Sequence, residues 1–227
     1  MATDCRSRLI VTVDGPAGSG KSTLAKRLAR RADLRYLESG AFYRAAAWLA
    51  TRAQGDLTDP DWMAALLTAH PLQVTAGRDR FYLAIAGRDL TADLRLPHIG
   101  QNASVVAMLR PVRRWVLDNL WALGAEGGLV AEGRDMGSRV FPEAPVKIFL
   151  DASLAVRAHR RWLELQAQGN NFSEEEVRQD MAQRDRRDRE RQEDPLRVPA
   201  GAHCIDTTTY EPDQVEEICF QLIQPYL

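Results

Sequence analysis

The residues Gly15-Pro16-Ala17-Gly18-Ser19-Gly20-Lys21-Ser22, followed by Thr23, fill the pattern G-x-x-x-x-G-K-[ST] in full. Their chemistry is phosphate binding. The glycines let successive backbone N–H groups turn inward as an anion nest, and a helix starting there adds positive potential. Lys21 supplies a point charge for the β- and γ-phosphates, and the Ser22 hydroxyl is a ligand for Mg²⁺. A glycine-rich turn that binds nothing is the competing interpretation. Against it, a strand-like run, Arg8–Val13, precedes the motif, and Leu24, Ala25, Leu28 and Ala29 follow at helical spacing. The loop points to a nucleoside triphosphate but leaves open what becomes of it.

Moving a phosphoryl group to a phosphorylated acceptor needs a second anion site, because positioning and charge neutralisation carry most of that catalysis. Three arginine-bearing blocks are candidates: Ser39-Gly-Ala-Phe-Tyr43-Arg44, Glu132-Gly-Arg134-Asp135-Met-Gly137, and Arg184 to Arg191. Each also has a plain structural interpretation. Arg44 could be a surface helix arginine, Ser39 an N-cap, and Glu132 an ordinary acid at a strand end. Arg113 could be a solvated residue at a helix start, which is where Arg114 is left. The Arg184–Arg191 run, with five arginines and three acids, could be a solvated helix laced with ion pairs. At helical spacing Arg184, Asp188 and Arg191 share a face, while Arg186, Arg187 and Arg189 are expected to face elsewhere. No guanine-reading N-K-x-D is present, and the chain is too short for motor machinery.

Strand-like and helix-like segments alternate around these residues. Arg8–Val13, Gly128–Glu132 and Val146–Leu150 are short apolar runs, as strands buried on both faces should be, and His203–Asp206 is a last strand. Helices are predicted over 22–31 and 40–53, and from Pro60, capped by Asp59, to about Ala69. Others run from Pro111 to about Leu123, from the capping box Ser173-x-x-Glu176, and from Pro212. This alternation predicts a parallel α/β sheet with ligands beyond the carboxyl ends of its strands. Residues 72–93 differ: two strand-like runs with turn residues at Gly77-Arg78-Asp79 and Gly87-Arg88-Asp89 read as a small antiparallel insert.

The bulk composition is ordinary. With 227 residues, 45% apolar and 27% charged, the chain excludes disordered, collagen-like and coiled-coil readings and fits one domain. Thirty basic against 31 acidic side chains give a net charge of −1, which demands neither nucleic acid nor an anionic membrane as partner. Lys21, Lys26 and Lys147 are the only lysines. Cys5, Cys204 and Cys219 lack CxxC spacing and fit a reducing compartment rather than a disulfide framework or zinc site. Leu9–Val13 is too short for a signal sequence, and no apolar run approaches the ~18 residues of a membrane span. The expectation is a cytoplasmic, monomeric protein.

The blocks LESGAFYR, QNASVVA with PVRR, AEGRDMGSRVFPEAPVKIFLDAS, RAHRR and QRDRRDRER, in this order from about Ile10 to Thr208, resemble bacterial cytidylate (CMP/dCMP) kinases. The resemblance implies a P-loop fold of adenylate-kinase type: a parallel five-stranded sheet flanked by helices, with an NMP-binding insert and a helical lid. It implies a core of about 8–38, 125–150 and 200–227. The NMP-binding segment would be about 39–124, with its strand-rich insert at 72–93, and the lid about 153–195. It further implies ATP as donor, CMP or dCMP as acceptor, and Mg²⁺.

By the same resemblance, Arg44, Arg134 and Arg191 hold the CMP phosphate, and Arg184 and Asp188 hold the ribose. Ser39, Tyr43, Ser104, Arg113 and Asp135 surround the cytosine. A carboxylate can accept from its 4-amino group while an arginine donates to N3 and O2, which discriminates it from uracil. Arg157, Arg160 and Arg161 resemble lid arginines over the ATP phosphates; Arg157 and Arg161, with Lys21, Arg134 and Arg191, would act in catalysis. Glu132 would hold water on the metal. There are two small departures: Glu38 stands where relatives often carry Asp, and Ser22-Thr23 where Gly-Thr also occurs. The rivals are a P-loop kinase for UMP, AMP or shikimate, and a non-catalytic nucleotide sensor.

Overall fold

The computed structural model describes residues 8–78 and 81–227; Cys5 and Asp79 lie outside the described residues. The first half runs β1 (Ile10–Asp14), α1 (Lys21–Ala32), β2 (Arg35–Glu38), α2 (Ser39–Arg52), α3 (Pro60–Ala69), β3 (Leu72–Ala76), β4 (Phe81–Ile85) and β5 (Arg88–Asp89). The second half runs α4 (Pro97–Val106), α5 (Arg110–Gly124), β6 (Leu129–Gly133), β7 (Val146–Asp151), α6 (Leu154–Ala167), α7 (Glu174–Glu190), β8 (His203–Asp206) and α8 (Pro212–Ile223).

Among the described residues, β2-β6-β1-β7-β8 form a five-stranded parallel sheet in that order, and β3-β4-β5 a three-stranded antiparallel one. The predicted α/β sheet and the antiparallel insert are both present. In β1, Val11 and Val13 on one face and Thr12 and Asp14 on the other are fully buried, as the central strand of a covered sheet requires. Leu24 and Leu28 of α1 pack with Val215, Cys219 and Ile223 of α8 in one core, while Phe42 of α2 and Val116 and Leu120 of α5 belong to the other. A small third core, Ala158, Leu165, Val177 and Met181, joins α6 to α7.

Local signals place the helices as predicted. Asp59 accepts from the backbone N–H groups of Asp61 and Trp62, with Pro60 at the first helical position. Ser173 and Glu176 close the capping box of α7. Strand β2 and helices α4 and α6 were not predicted from local patterns, though the resemblance implied a helical lid over 153–195.

Register sets the site. Asp14 at the end of β1 lies opposite Gly133 on β6 and Phe149 on β7. The loops that follow these strands therefore emerge side by side on one edge of the sheet, the arrangement expected of ligand-binding α/β folds.

Candidate functional site

A cleft of about 1730 Å³ opens at this edge. The phosphate-binding loop from Ala17 to Thr23 forms its floor, and Arg44, Ser104, Arg160, Arg161, Arg184 and Arg187 are among its walls. Gly15 admits no side chain: its φ is +146° and a Cβ there would stand 1.9 Å from the Leu150 carbonyl oxygen. Lys21 is buried and donates to the Pro16 carbonyl at 2.6 Å, closing the loop on itself. Burial, reinforced by the nearby Arg134, lowers its pKa from 10.5 to about 7.

The Tyr36 hydroxyl donates to Glu132, near the end of β6, at 2.5 Å, and Ser22 lies near the same carboxylate. Burial, with Glu38 nearby, raises the Glu132 pKa. A neutral hydroxyl with a carboxylate beside it is an oxygen donor set suited to Mg²⁺, which keeps several waters and takes its remaining ligands from phosphates. Among the described residues no group of three or more His, Cys, Asp or Glu forms a separate metal cage.

Behind the cleft lies a buried cluster of alternating charge. Arg113, 1% exposed, ion-pairs with Asp135, 3% exposed. Arg134 donates to Asp188 at 2.8 Å. Arg191 stands 3.6 Å from Asp135 and 3.9 Å from Asp188. Tyr43 presents its ring to Arg113, 5.8 Å from ring centroid to guanidinium carbon. Ser39 is buried beside Gly133, and the Ser104 hydroxyl donates to the Gln101 carbonyl at 2.9 Å. Burial opposes the charges on Arg113, Arg134, Asp188 and Arg191. Arg134 and Arg184 nonetheless hold the Asp188 carboxyl below its usual range, while Tyr43 and Asp135 hold Arg113 above its own. Arg184 falls to about 10 through burial and the neighbouring Arg134. Arg44 ion-pairs with Glu38, the residue that departs from Asp.

Two expectations need correction. Arg157 does not line the cleft floor or wall. Its Nε donates to the Ala152 carbonyl at 2.9 Å, Nη1 to the Ala17 carbonyl at 3.0 Å and Nη2 to Asp185 at 2.6 Å, so it is spent as a strut between the phosphate-binding loop and α7. Arg187 does not face away: it lines the cleft, and its Nε is buried without a protein partner. Arg161 keeps its place at the cleft and pairs with Glu164 at 3.0 Å, while Arg160 holds the Thr207 carbonyl at 2.8 Å.

Two residues were missed. Asp14 is fully buried, and its two oxygens accept from the N–H groups of Met136 and Gly137 at 2.8 and 2.7 Å, tying the phosphate-binding loop to the loop that carries Asp135. Burial carries its pKa from 3.8 to about 7 against those two bonds. An acid ending an apolar strand was its signal. Asp194 joins the buried cluster from beyond the end of α7.

A family model for cytidylate kinase matches residues 11–225. The chain belongs to the cytidylate kinase family. It is 40% identical over 208 residues to a cytidylate kinase from Yersinia pestis, covering 92% of this chain and 90% of that one. It is 44% identical over 194 residues to a bifunctional pantoate ligase/cytidylate kinase from Synechococcus elongatus, covering 83% of this chain but only 37% of that protein. The chain thus spans little more than a third of such bifunctional relatives. An uncharacterized protein from Eubacterium ventriosum shares the fold, with a TM-score of 0.52 at 10% identity over 95% of this chain and 98% of that one. Family membership does not favour the rival acceptors or the non-catalytic sensor. No helix among the described residues is long and apolar enough to cross a membrane.

Proposed function

We propose that this chain transfers the γ-phosphoryl group of ATP to CMP or dCMP, giving ADP and CDP or dCDP. The carrying observation is a complete phosphate-binding loop that shares its cleft with Arg44 and Arg184, together with a buried Arg113–Asp135 pair that Arg191 approaches and that Arg134 joins through Asp188. The loop's N–H groups and Lys21 hold the donor phosphates, and Arg161, with Arg160 beside it, covers them. Arg44, Arg134 and Arg191 hold the acceptor phosphate in line. Arg184 and Asp188 take the ribose, and Ser39, Tyr43 and Ser104 pack and bond around the base. Asp135 accepts from the cytosine 4-amino group while Arg113 donates to N3 and O2, a pairing that uracil cannot complete.

The acceptor phosphate already carries the attacking oxygen in ionised form, so the chain's task is alignment and neutralisation rather than proton removal. Mg²⁺, when bound, supplies charge neutralisation at the donor phosphate oxygens, with the Ser22 hydroxyl as ligand and Glu132 retaining its water. Arg157 acts from beneath the loop, fixing its backbone. Residues 153–195 form the lid and 39–124 the acceptor-binding segment. The enzyme works as a monomer in the cytoplasm.

A coupled assay of ADP release across CMP, dCMP, UMP and AMP tests this reading. CMP or dCMP should turn over fastest; fastest turnover with AMP, or none above the rate without acceptor, would sink it. In the same assay Asp135→Ala should lose preference for cytosine by about tenfold, given ~1–3 kcal/mol for a good base contact. Arg44→Ala should weaken every monophosphate alike.

A further inference from the structure

The buried pair that reads the base has a third member. The Asp194 carboxylate accepts from Arg113 through Nη2 at 2.9 Å and Nε at 3.3 Å, while the Arg113 Nη2 also reaches Asp135. Its other oxygen stands 3.3 Å from Nε of Arg139. The Asp194 backbone carbonyl accepts from Nε of Arg191 at 2.7 Å. One residue thus holds two of the arginines placed around the nucleotide.

It does so from an unusual backbone. Asp194 has φ +46°, the left-handed region, directly before Pro195. Side chains rarely adopt that region, and a following proline disfavours compact conformations further. Such a conformation persists only where surrounding contacts fix it, and such positions gather at functional sites. Here the fixing contacts are the arginines themselves and, next along the chain, the buried Leu196, whose N–H donates to the Asp188 carbonyl at 2.7 Å.

The consequence falls on Arg113. With Nε engaged by Asp194 and Nη2 by both carboxylates, Nη1 is the end of the fork that is buried and has no protein partner. A buried guanidinium donor left unpaired is costly, so Nη1 awaits an acceptor. We infer that Asp194 is a positioning residue for base selection, locking the Arg113 fork so that its Nη1 edge is the one offered to the acceptor edge of the cytosine. This inference rests on the cytidylate kinase reading above.

Asp194→Asn tests it, because asparagine keeps both the size and the tolerance of left-handed backbone. Asp194→Gly, also at ease at positive φ, decides should the asparagine variant lose its unfolding transition. The measurements are kcat and KM for CMP and UMP, together with binding of each monophosphate by calorimetry. The ratio of kcat/KM for CMP over UMP should fall by about tenfold, which is ~1.4 kcal/mol. That loss should be carried by KM and affinity for CMP, with kcat at saturating CMP held within about twofold. Arg139→Ala, which removes only the outer partner of Asp194, should leave the ratio unchanged. Equal loss for both substrates, or an unchanged ratio in the variant beside a CMP-preferring parent, overturns the inference alone. A parent without preference for CMP overturns the base-reading assignment and this inference with it.

Discussion

Asp14→Asn isolates the buried carboxylate beneath the phosphate-binding loop. Burial outweighs the two backbone amides that favour its anion, taking its pKa from 3.8 to about 7. An acid whose pKa rises on folding contributes stability that is fully present below its unfolded pKa. That contribution is lost as pH climbs through the folded value. A rise of about three pKa units corresponds to ~4 kcal/mol, spread over roughly pH 4 to pH 7. Asparagine cannot titrate. It keeps one carbonyl oxygen for one amide and turns its own NH₂ group on the other, at ~1–3 kcal/mol for the buried donor left unpaired. The variant should therefore gain on the parent by ~1.4 kcal/mol for each pH unit between about pH 4.5 and pH 7, and hold that gain above. Urea unfolding at fixed ionic strength from about pH 5 to pH 8, with unchanged m-value, reads this difference directly. A constant gap between the two proteins over that range would refute the reasoning. It would mean that the Met136 and Gly137 amides keep Asp14 ionised throughout.

Lys21, lowered to about 7 by burial and Arg134, is largely neutral in the empty loop at pH 8, and a bound triphosphate should restore its charge. Calorimetry of ATP binding in two buffers of different ionisation enthalpy should then show uptake approaching about one proton at pH 8 and little at pH 6; equal enthalpies in both buffers at pH 8 would contradict it. Gly15→Ala places a methyl 1.9 Å from the Leu150 oxygen. It should lose ~3 kcal/mol or more of stability together with ATP affinity, and a variant with parental Tm and affinity would show that the loop relaxes freely.

Where local chemistry decides structure, the sequence was readable. The phosphate-binding motif, the Asp59 cap and the Ser173–Glu176 box specify their own hydrogen bonds, and each formed where predicted. Strand β2 escaped because it is four residues long, with charges at both ends, and among the described residues β6 is its only partner strand. Helix α4 escaped because Gly100, Asn102 and the β-branched pair Val105-Val106 give its ten residues weak helical propensity.

The arginine blocks could be located from the sequence, but not what each arginine touches. Arg157 and Arg187 face otherwise than expected because helix facing depends on how α6 and α7 pack together. Asp14 and Asp194 carry no motif; their importance comes from partners 122 and 81 residues distant.

The pairing of Arg44 with Glu38 has a consequence for traffic in a phosphate-rich solution. An arginine open to water would collect whatever small anion arrived first. Glu38 is instead a resident tenant that any newcomer must displace, held ionised by Arg44 despite the burial that opposes it. Inorganic phosphate brings nothing else to offset that eviction. On the proposed reading, a nucleotide brings a ribose and a base, each with its own partners, and so clears a threshold that a bare anion does not.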